Sequence, residues 1–288
     1  MEIIKEVSLM QARSKAVKAE GQKVVFVPTM GFLHDGHREL LKAGRKAVGK
    51  DGLLVLSIFV NPTQFGPKED LSSYPRDMDR DLKMAGEEGV DAVFTPGVDD
   101  VYPEGFETFV EVAVLSKHLC GETRPGHFRG VATVVLKLFN MVLPDIAVFG
   151  KKDFQQLKII ERMTMDLNLG VAIVGVETVR ERDGLAMSSR NAYLSESERE
   201  AARCIPAALE AASGGASSGV RQATDLIEIM KKIIEKEPVA VIEYLRVCDK
   251  ESLEDLDKIE DEALVALAVR IGGARLIDNT LVSTRVRA

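Results

Sequence analysis

Apolar residues fall in short dense runs over the first ~180 positions, separated by stretches with helical apolar spacing. The runs at 24–27, 53–60, 92–95, 146–149 and 171–176 predict strands. The run at 53–60 is nearly all apolar, as a strand covered on both faces requires. Helical patterns at 38–48, 71–88, 131–143 and 153–169 lie between them; Pro144 stops the third and Gly170 the fourth. This alternation predicts an α/β fold built on a parallel sheet. Near residue 184 the pattern changes. Ser195 and Glu198 make a capping box for a helix running to about residue 212. Residues 213–219, Ser-Gly-Gly-Ala-Ser-Ser-Gly, read as a flexible connector. A helix at 220–236 stops before Pro238, and strand-like segments follow at 241–247 and 264–271. The organisation expected is a parallel-sheet domain over 1–184 and a smaller α+β domain over 185–288.

Composition narrows the function classes. A chain of 288 residues with 45% apolar and 29% charged residues is ordinary for a soluble globular protein. Its net charge of −7 argues against broad nucleic-acid binding, which needs a basic face. No apolar run approaches the ~18 residues of a membrane span. The start, Met1-Glu2-Ile3-Ile4-Lys5-Glu6, is charged and lacks a signal-peptide core, so the cytoplasm is the default location. Cys120, Cys204 and Cys248 form no CxxC pair, which points to neither a disulfide framework nor a zinc knuckle.

The most informative segment is Met30-Gly31-Phe32-Leu33-His34-Asp35-Gly36-His37. It follows a predicted strand and opens a predicted helix, so both histidines lie at a helix N-terminus, which favours anions. Their i, i+3 spacing puts both imidazoles on one face of the first turn. This H-x-G-H pattern is a signature of nucleotidyl transfer, with the imidazoles on ATP phosphates and pyrophosphate as the leaving group. In isolation it is equally compatible with one histidine capping the helix and the other lying on the surface. Gly150-Lys151-Lys152-Asp153 follows another predicted strand and offers cations to a phosphate and a carboxylate to a ribose; its bland alternative is a charged helix start. Met187-Ser188-Ser189-Arg190 combines hydroxyls, backbone donors and a permanent cation, a set suited to the β- and γ-phosphates, although polar loops of this kind are common. Gln64, after the buried strand, and Gln156 are candidates for a polar substrate. Arg124 and Arg129 suit an anion or a surface salt bridge. Asp77, Asp79 and Asp81 suit either Mg²⁺ or a solvated helix face.

Taken together, the segments at 28–37, 59–65, 124–130, 149–156 and 185–191, with Ala274-Arg275-Leu276-Ile277-Asp278-Asn279, resemble the pantoate–β-alanine ligase family over essentially the whole chain. The resemblance implies a Rossmann-like nucleotidyltransferase domain followed by a smaller lid domain. It implies condensation of pantoate with β-alanine through a pantoyl adenylate, with ATP as co-substrate and Mg²⁺ entering with it. It further implies that His34, His37, Lys152, Ser188, Ser189 and Arg190 act on the triphosphate. Gly150, Asp153 and Val179 hold the nucleoside, Met30 lies along the nucleotide, and Gln64 and Gln156 hold pantoate, Gln64 also lying near the amine site. In the family His37 is usually described as a proton donor; charge stabilisation would serve equally. Asp81 is the carboxylate expected nearest the metal, and a homodimer is implied. One departure stands out: the family usually has Gly-Glu-Lys-Asp where this chain has Gly150-Lys151-Lys152-Asp153. Two rivals remain at this point, a plain adenylyltransferase and an ATP-binding regulatory module.

Overall fold

The apolar runs fold into six parallel strands: β1 (Glu2–Ile4), β2 (Val24–Thr29), β3 (Leu53–Ile58), β4 (Ala92–Phe94), β5 (Ile146–Gly150) and β6 (Ala172–Val176). They lie in the order β1-β4-β3-β2-β5-β6. The structure is a computed structural model that describes residues 1–67 and 69–284. The chain divides into two units. The first comprises Met1–Ser116, Arg124–Lys151 and Gln156–Glu177; the second comprises Lys117–Thr123, Lys152–Gln155 and the chain from Thr178 on.

In the first unit β2 is central. Val25 is in register with Leu54 of β3 on one side and Ile146 of β5 on the other. From β2 the sheet grows through β3 and β4 in one direction and through β5 and β6 in the other. Chain leaving β2 and chain leaving β5 therefore open at the same carboxyl edge, at the switch in connection direction where α/β sheets bind ligands. Val25, Val27, Leu54 and Leu56 point to one face and pack under the helix Asp35–Val48 through Leu40, Leu41 and Val48. Phe26, one residue out of phase, points to the other face. There it meets Phe139 of the helix His127–Val142 edge-on at 6.4 Å, and Phe139 meets Phe149 of β5 at the same distance.

The structure departs from the sequence expectation at local signals. β1 has only three residues and pairs at the sheet edge with β4. The helix Val7–Ala19 after it buries only Met10, Ser14 and Val17, a stripe too narrow to stand out in the pattern. The helix expected from residue 71 begins at Met78, because Asp77 accepts the Arg80 N–H and caps it there. The helix expected from residue 131 begins at His127, after Gly126 in the left-handed region.

In the second unit β7 (Ala240–Cys248), β8 (Glu262–Ile271) and β9 (Ala274–Ser283) form an antiparallel sheet. The last two join through Gly272-Gly273, with Ile271 opposite Ala274, a two-residue hairpin turn. Helices Cys204–Ser217 and Ala223–Ile234 cover the sheet with Ile205, Ala208, Leu209, Leu226 and Met230. Residues 213–217 are thus helical rather than a flexible connector. A Cβ on Gly215 would come within 3.0 Å of Leu226, so this glycine lets the two helices approach closely.

One close approach also fixes the corner of the first unit that carries Gln64. A Cβ on Gly130 would lie 2.4 Å from the Thr63 carbonyl oxygen and 2.8 Å from Gln64 Cα. Alanine has the better helix propensity by about 1 kcal/mol, but overpacking costs about 1–3 kcal/mol even where side chains can yield, and here the obstacle is backbone. Gly130→Ala is expected to lower stability in urea titration; a variant more stable than the parent would show that helix and turn do not touch.

Candidate active site

The turn between β2 and the helix Asp35–Val48 is built by a few specific bonds. Thr29 Oγ1 donates to the Ser57 carbonyl at 2.7 Å and accepts the Gly31 N–H at 3.2 Å. Gly31 has φ +82°, and a Cβ there would meet Ile58 at 2.9 Å and Asp81 Oδ2 at 3.0 Å. Glycine is required on both counts. Phe32 follows at φ 51° with the Arg80 guanidinium 5.1 Å above its ring, and Leu33 is fully buried. Asp81, buried on the helix Met78–Glu87, accepts the N–H groups of Phe32 and Leu33, each at 2.7 Å. Burial pushes the Asp81 carboxyl above its ordinary value, against the downward pull of these two bonds. With one N–H on each oxygen, this buried carboxylate clamps the turn.

The clamp delivers the chain to His34, which is the helix N-cap. His34 Nδ1 accepts the Gly36 N–H at 3.1 Å, and His37 Nδ1 accepts the His34 N–H at 3.2 Å. The two imidazoles thus form a reciprocal capping box, with ring centroids 4.0 Å apart. A ring nitrogen that accepts an N–H holds no proton, so each neutral ring carries its proton on Nε2 and donates from there. Capping and ligand binding are therefore compatible roles for the same histidine. Asp35 is exposed and pairs with Arg38 at 3.4 Å.

Gln64 sits in the same unit, in a short turn after β3 that begins with Asn61-Pro62. Its Oε1 accepts from Asn61 Nδ2 at 3.0 Å, and its Nε2 lies 3.1 Å from the Met30 sulfur. Asn61 is buried and also donates to the Gly130 carbonyl while accepting from the Tyr102 hydroxyl. Asn-Pro is a turn-initiating signal in the sequence, but the spacing gives Asn61 no role of its own. Behind Gln64, Arg124 grips Glu69 with two bonds of 2.6 Å. His127 Nδ1 donates to the Gln64 carbonyl at 2.8 Å, which leaves Nε2 to accept from Arg124 at 2.9 Å. Arg129 lies 4.0 Å over the Phe109 ring. Both arginines thus have intramolecular partners.

At the end of β5, Gly150 leads into a 3₁₀ turn at Lys151–Asp153. Lys151 is ion-paired with Glu177, so the cation that replaces the family's usual glutamate is locally compensated. Gln156 is half-buried in the first unit. Lys152 and Asp153 belong to the second unit, with Val179 and 187–190. There the Lys152 carbonyl accepts from Asn279 Nδ2 at 2.8 Å. The Met187 N–H donates to the Val179 carbonyl at 2.9 Å. Ser188 caps the turn Ser189–Tyr193 by accepting the Arg190 N–H, and Ser189 is buried. The first unit therefore brings together Met30, Gly31, Phe32, Leu33, His34, Gly36, His37 and Gln64, while Lys152, Asp153, Val179, Met187, Ser188, Ser189 and Arg190 lie in the second.

The Glu69–Arg124 pair behind Gln64 has a pH signature. Burial pushes the Glu69 carboxyl up, but the Arg124 guanidinium and the Gly66 N–H more than offset this and hold it at about 2. A carboxyl depressed in the folded state stabilises above its unfolded value, near 4.5, and loses that contribution as pH falls to about 2. Glu69→Gln is expected to be less stable than the parent at neutral pH, with the gap closing across that window in acid melts. A gap independent of pH would contradict the assignment.

Comparison with known proteins establishes the family. The sequence model of the pantoate-beta-alanine ligase family matches residues 2–281. The chain is 52% identical over 286 residues to the pantothenate synthetase of Syntrophotalea carbinolica, covering 99% of this chain and 100% of that protein. It is 51% identical over 279 residues to the pantothenate synthetase of Geobacter sulfurreducens, covering 97% and 98%. Among solved structures, the pantothenate synthetase of Thermus thermophilus matches with TM-score 0.91 and 43% identity over 97% of this chain and 99% of that one. The pantoate-beta-alanine ligase of Francisella tularensis, solved in complex with beta-gamma ATP and beta-alanine, matches with TM-score 0.80 and 32% identity over 98% and 97%. With a family match that spans nearly its full length, this chain belongs to the pantoate-beta-alanine ligase family.

Proposed function

We propose that the chain condenses (R)-pantoate with β-alanine at the expense of ATP, giving pantothenate, AMP and pyrophosphate. The observation that carries this reading is the His34–His37 box at the carboxyl edge of β2, within a chain matched to the ligase family over residues 2–281. In the first step a pantoate carboxylate oxygen attacks the α-phosphorus, the bond to the bridging oxygen breaks, and pyrophosphate leaves. In the second the β-alanine amine attacks the acyl carbon of the adenylate, AMP departs, and the nitrogen loses a proton. Neither step needs an enzyme nucleophile; both need charge offset and alignment of polyanionic reactants.

The proposed roles follow from donor type. His34 and His37 donate Nε2–H hydrogen bonds to phosphate oxygens beside the helix N-terminus. Adding a proton at Nδ1 would set two N–H groups against each other within the box, which favours His37 as a hydrogen-bond donor over an imidazolium proton donor. Lys152, Ser188, Ser189 and Arg190 supply cations and hydroxyls for the same triphosphate and the departing pyrophosphate. Gly150, Asp153 and Val179 serve the nucleoside, and Gln64 and Gln156 hold pantoate, Gln64 also facing the amine. Mg²⁺ enters as part of the substrate, bound to the ATP phosphates, and screens their charge. No helix among the described residues is long and apolar enough to cross a membrane; by the family resemblance a cytoplasmic homodimer is the proposed working form.

The test is exchange of labelled pyrophosphate into ATP without β-alanine, which should require pantoate; the parent chain failing both this exchange and pantothenate formation would overturn the reading. His37→Ala is expected to lose at least a hundredfold in exchange, at the lower range for one preorganised donor, with circular dichroism unchanged. Global unfolding of that variant would remove His37 from the site. Asp81→Asn presents an amide to one of two backbone N–H groups, so it should lower the melting temperature and reduce exchange with no recovery in excess Mg²⁺. Recovery by Mg²⁺ would mark Asp81 as a metal contact.

A further inference from the structure

The second unit contains an adjacent pair of side chains, Asp278 and Asn279 on β9, that the proposed chemistry does not use directly. Each reaches a different phosphate-binding segment. Asn279 Nδ2 donates to the Lys152 carbonyl at 2.8 Å. Asp278 is buried, and its two oxygens take the Arg180 guanidinium at 2.6 and 3.1 Å. Arg180 in turn pairs across a β-bridge with Ala186, directly before Met187-Ser188-Ser189-Arg190. The hairpin between them turns at Gly184, φ +89°, whose carbonyl also accepts from Arg180 at 3.1 Å. The two neighbours are coupled as well, since the Asn279 N–H donates to Asp278 Oδ1 at 2.8 Å.

The far side of the hairpin has its own anchor. Arg199 binds Glu181 and Asp183 with four bonds of 2.7 to 3.0 Å. Asn191 Nδ2 donates to Glu181 at 2.7 Å and to the Ala186 carbonyl at 3.1 Å. The loop carrying Ser188–Arg190 is thus held at both ends, by β9 through Arg180 and by the helix Glu196–Ala202 through Arg199. Lys152 lies on the 3₁₀ turn that leads into the helix Phe154–Asp166, and its carbonyl is held from outside that turn by Asn279. A flexible lysine stem delivers its charge reproducibly only if its root is fixed.

We propose that Asp278 and Asn279 are positioning residues for triphosphate chemistry: Asn279 sets the backbone of Lys152, and Asp278, through Arg180, sets the loop of Ser188, Ser189 and Arg190. The pair acts through these segments and touches no substrate. The proposal rests on the reading that Lys152 and the 187–190 loop serve the triphosphate. It has a consequence that general stabilisation of the unit would not have. Loss of the Asn279 donor should impair the step that handles pyrophosphate and spare the step that does not.

The experiment compares two half-reactions in the parent and in Asn279→Ala and Asn279→Asp, the second a same-sized variant that removes the donor without opening a cavity. The first is pantoate-dependent pyrophosphate exchange at saturating ATP; the second is aminolysis of preformed pantoyl adenylate by β-alanine. Both variants are expected to lose about tenfold or more in exchange, while aminolysis stays within about twofold. Tenfold corresponds to about 1.4 kcal/mol, the scale of one hydrogen bond. Exchange within twofold of an active parent, or equal losses in both half-reactions, would overturn the proposal. An inactive parent would instead overturn the functional reading beneath it.

Discussion

Everything at the candidate site depends on one constraint: the chain must leave β2 and enter a helix within five residues, in a crowded place, with its N–H groups under control. Gly31 supplies the left-handed turn that no Cβ would fit, and Asp81 takes the next two N–H groups. The next two pairings are made by the imidazoles themselves. A serine or aspartate cap would satisfy the same groups. The histidine box goes further, because capping through Nδ1 commits each proton to Nε2. The fold thereby turns a local hydrogen-bond requirement into two oriented donors.

An economy of charge runs through the acidic chain. Lys151 is balanced by Glu177, Arg124 by Glu69, and Arg180 by Asp278. Such pairs serve the site by holding backbone. Glu69 and Arg124 fix the turn behind Gln64, and Arg180 fixes the approach to Ser188. Cations assigned by resemblance to the triphosphate, Lys152 and Arg190, lie beside these anchors in sequence. A neighbouring lysine or arginine is therefore no guide to its role.

The central strands and the histidine turn were legible because their signals are local. A run such as Leu53–Ile58 can hardly be other than a covered strand, and a glycine turn between a strand and a helical pattern announces the site's position. What escaped was held at long range or by thin margins. Asp81 looked like a magnesium contact or part of a solvated helix face, since nothing local shows that it reaches Phe32 and Leu33, about 48 residues away. Gly215 looked like part of a linker because only its close packing on Leu226 explains it. β9 went unread as a strand, although Gly272-Gly273 with apolar residues on either side is a hairpin signal. Motif resemblance supplied candidate roles that no periodicity carries, including that of Val179; spacing alone left the histidines ambiguous between cap and ligand.

The central claim is that these oriented donors serve attack of a carboxylate on the α-phosphorus. It is tested most directly by following an oxygen atom: pantoate labelled with oxygen-18 in its carboxylate, one full turnover with ATP and β-alanine, and mass analysis of the products. The account predicts one labelled oxygen in AMP and none in pyrophosphate, since the bond formed at phosphorus stays with AMP when the amine expels it. Label in the released pyrophosphate or in inorganic phosphate, with unlabelled AMP, would place the attack elsewhere and contradict the account.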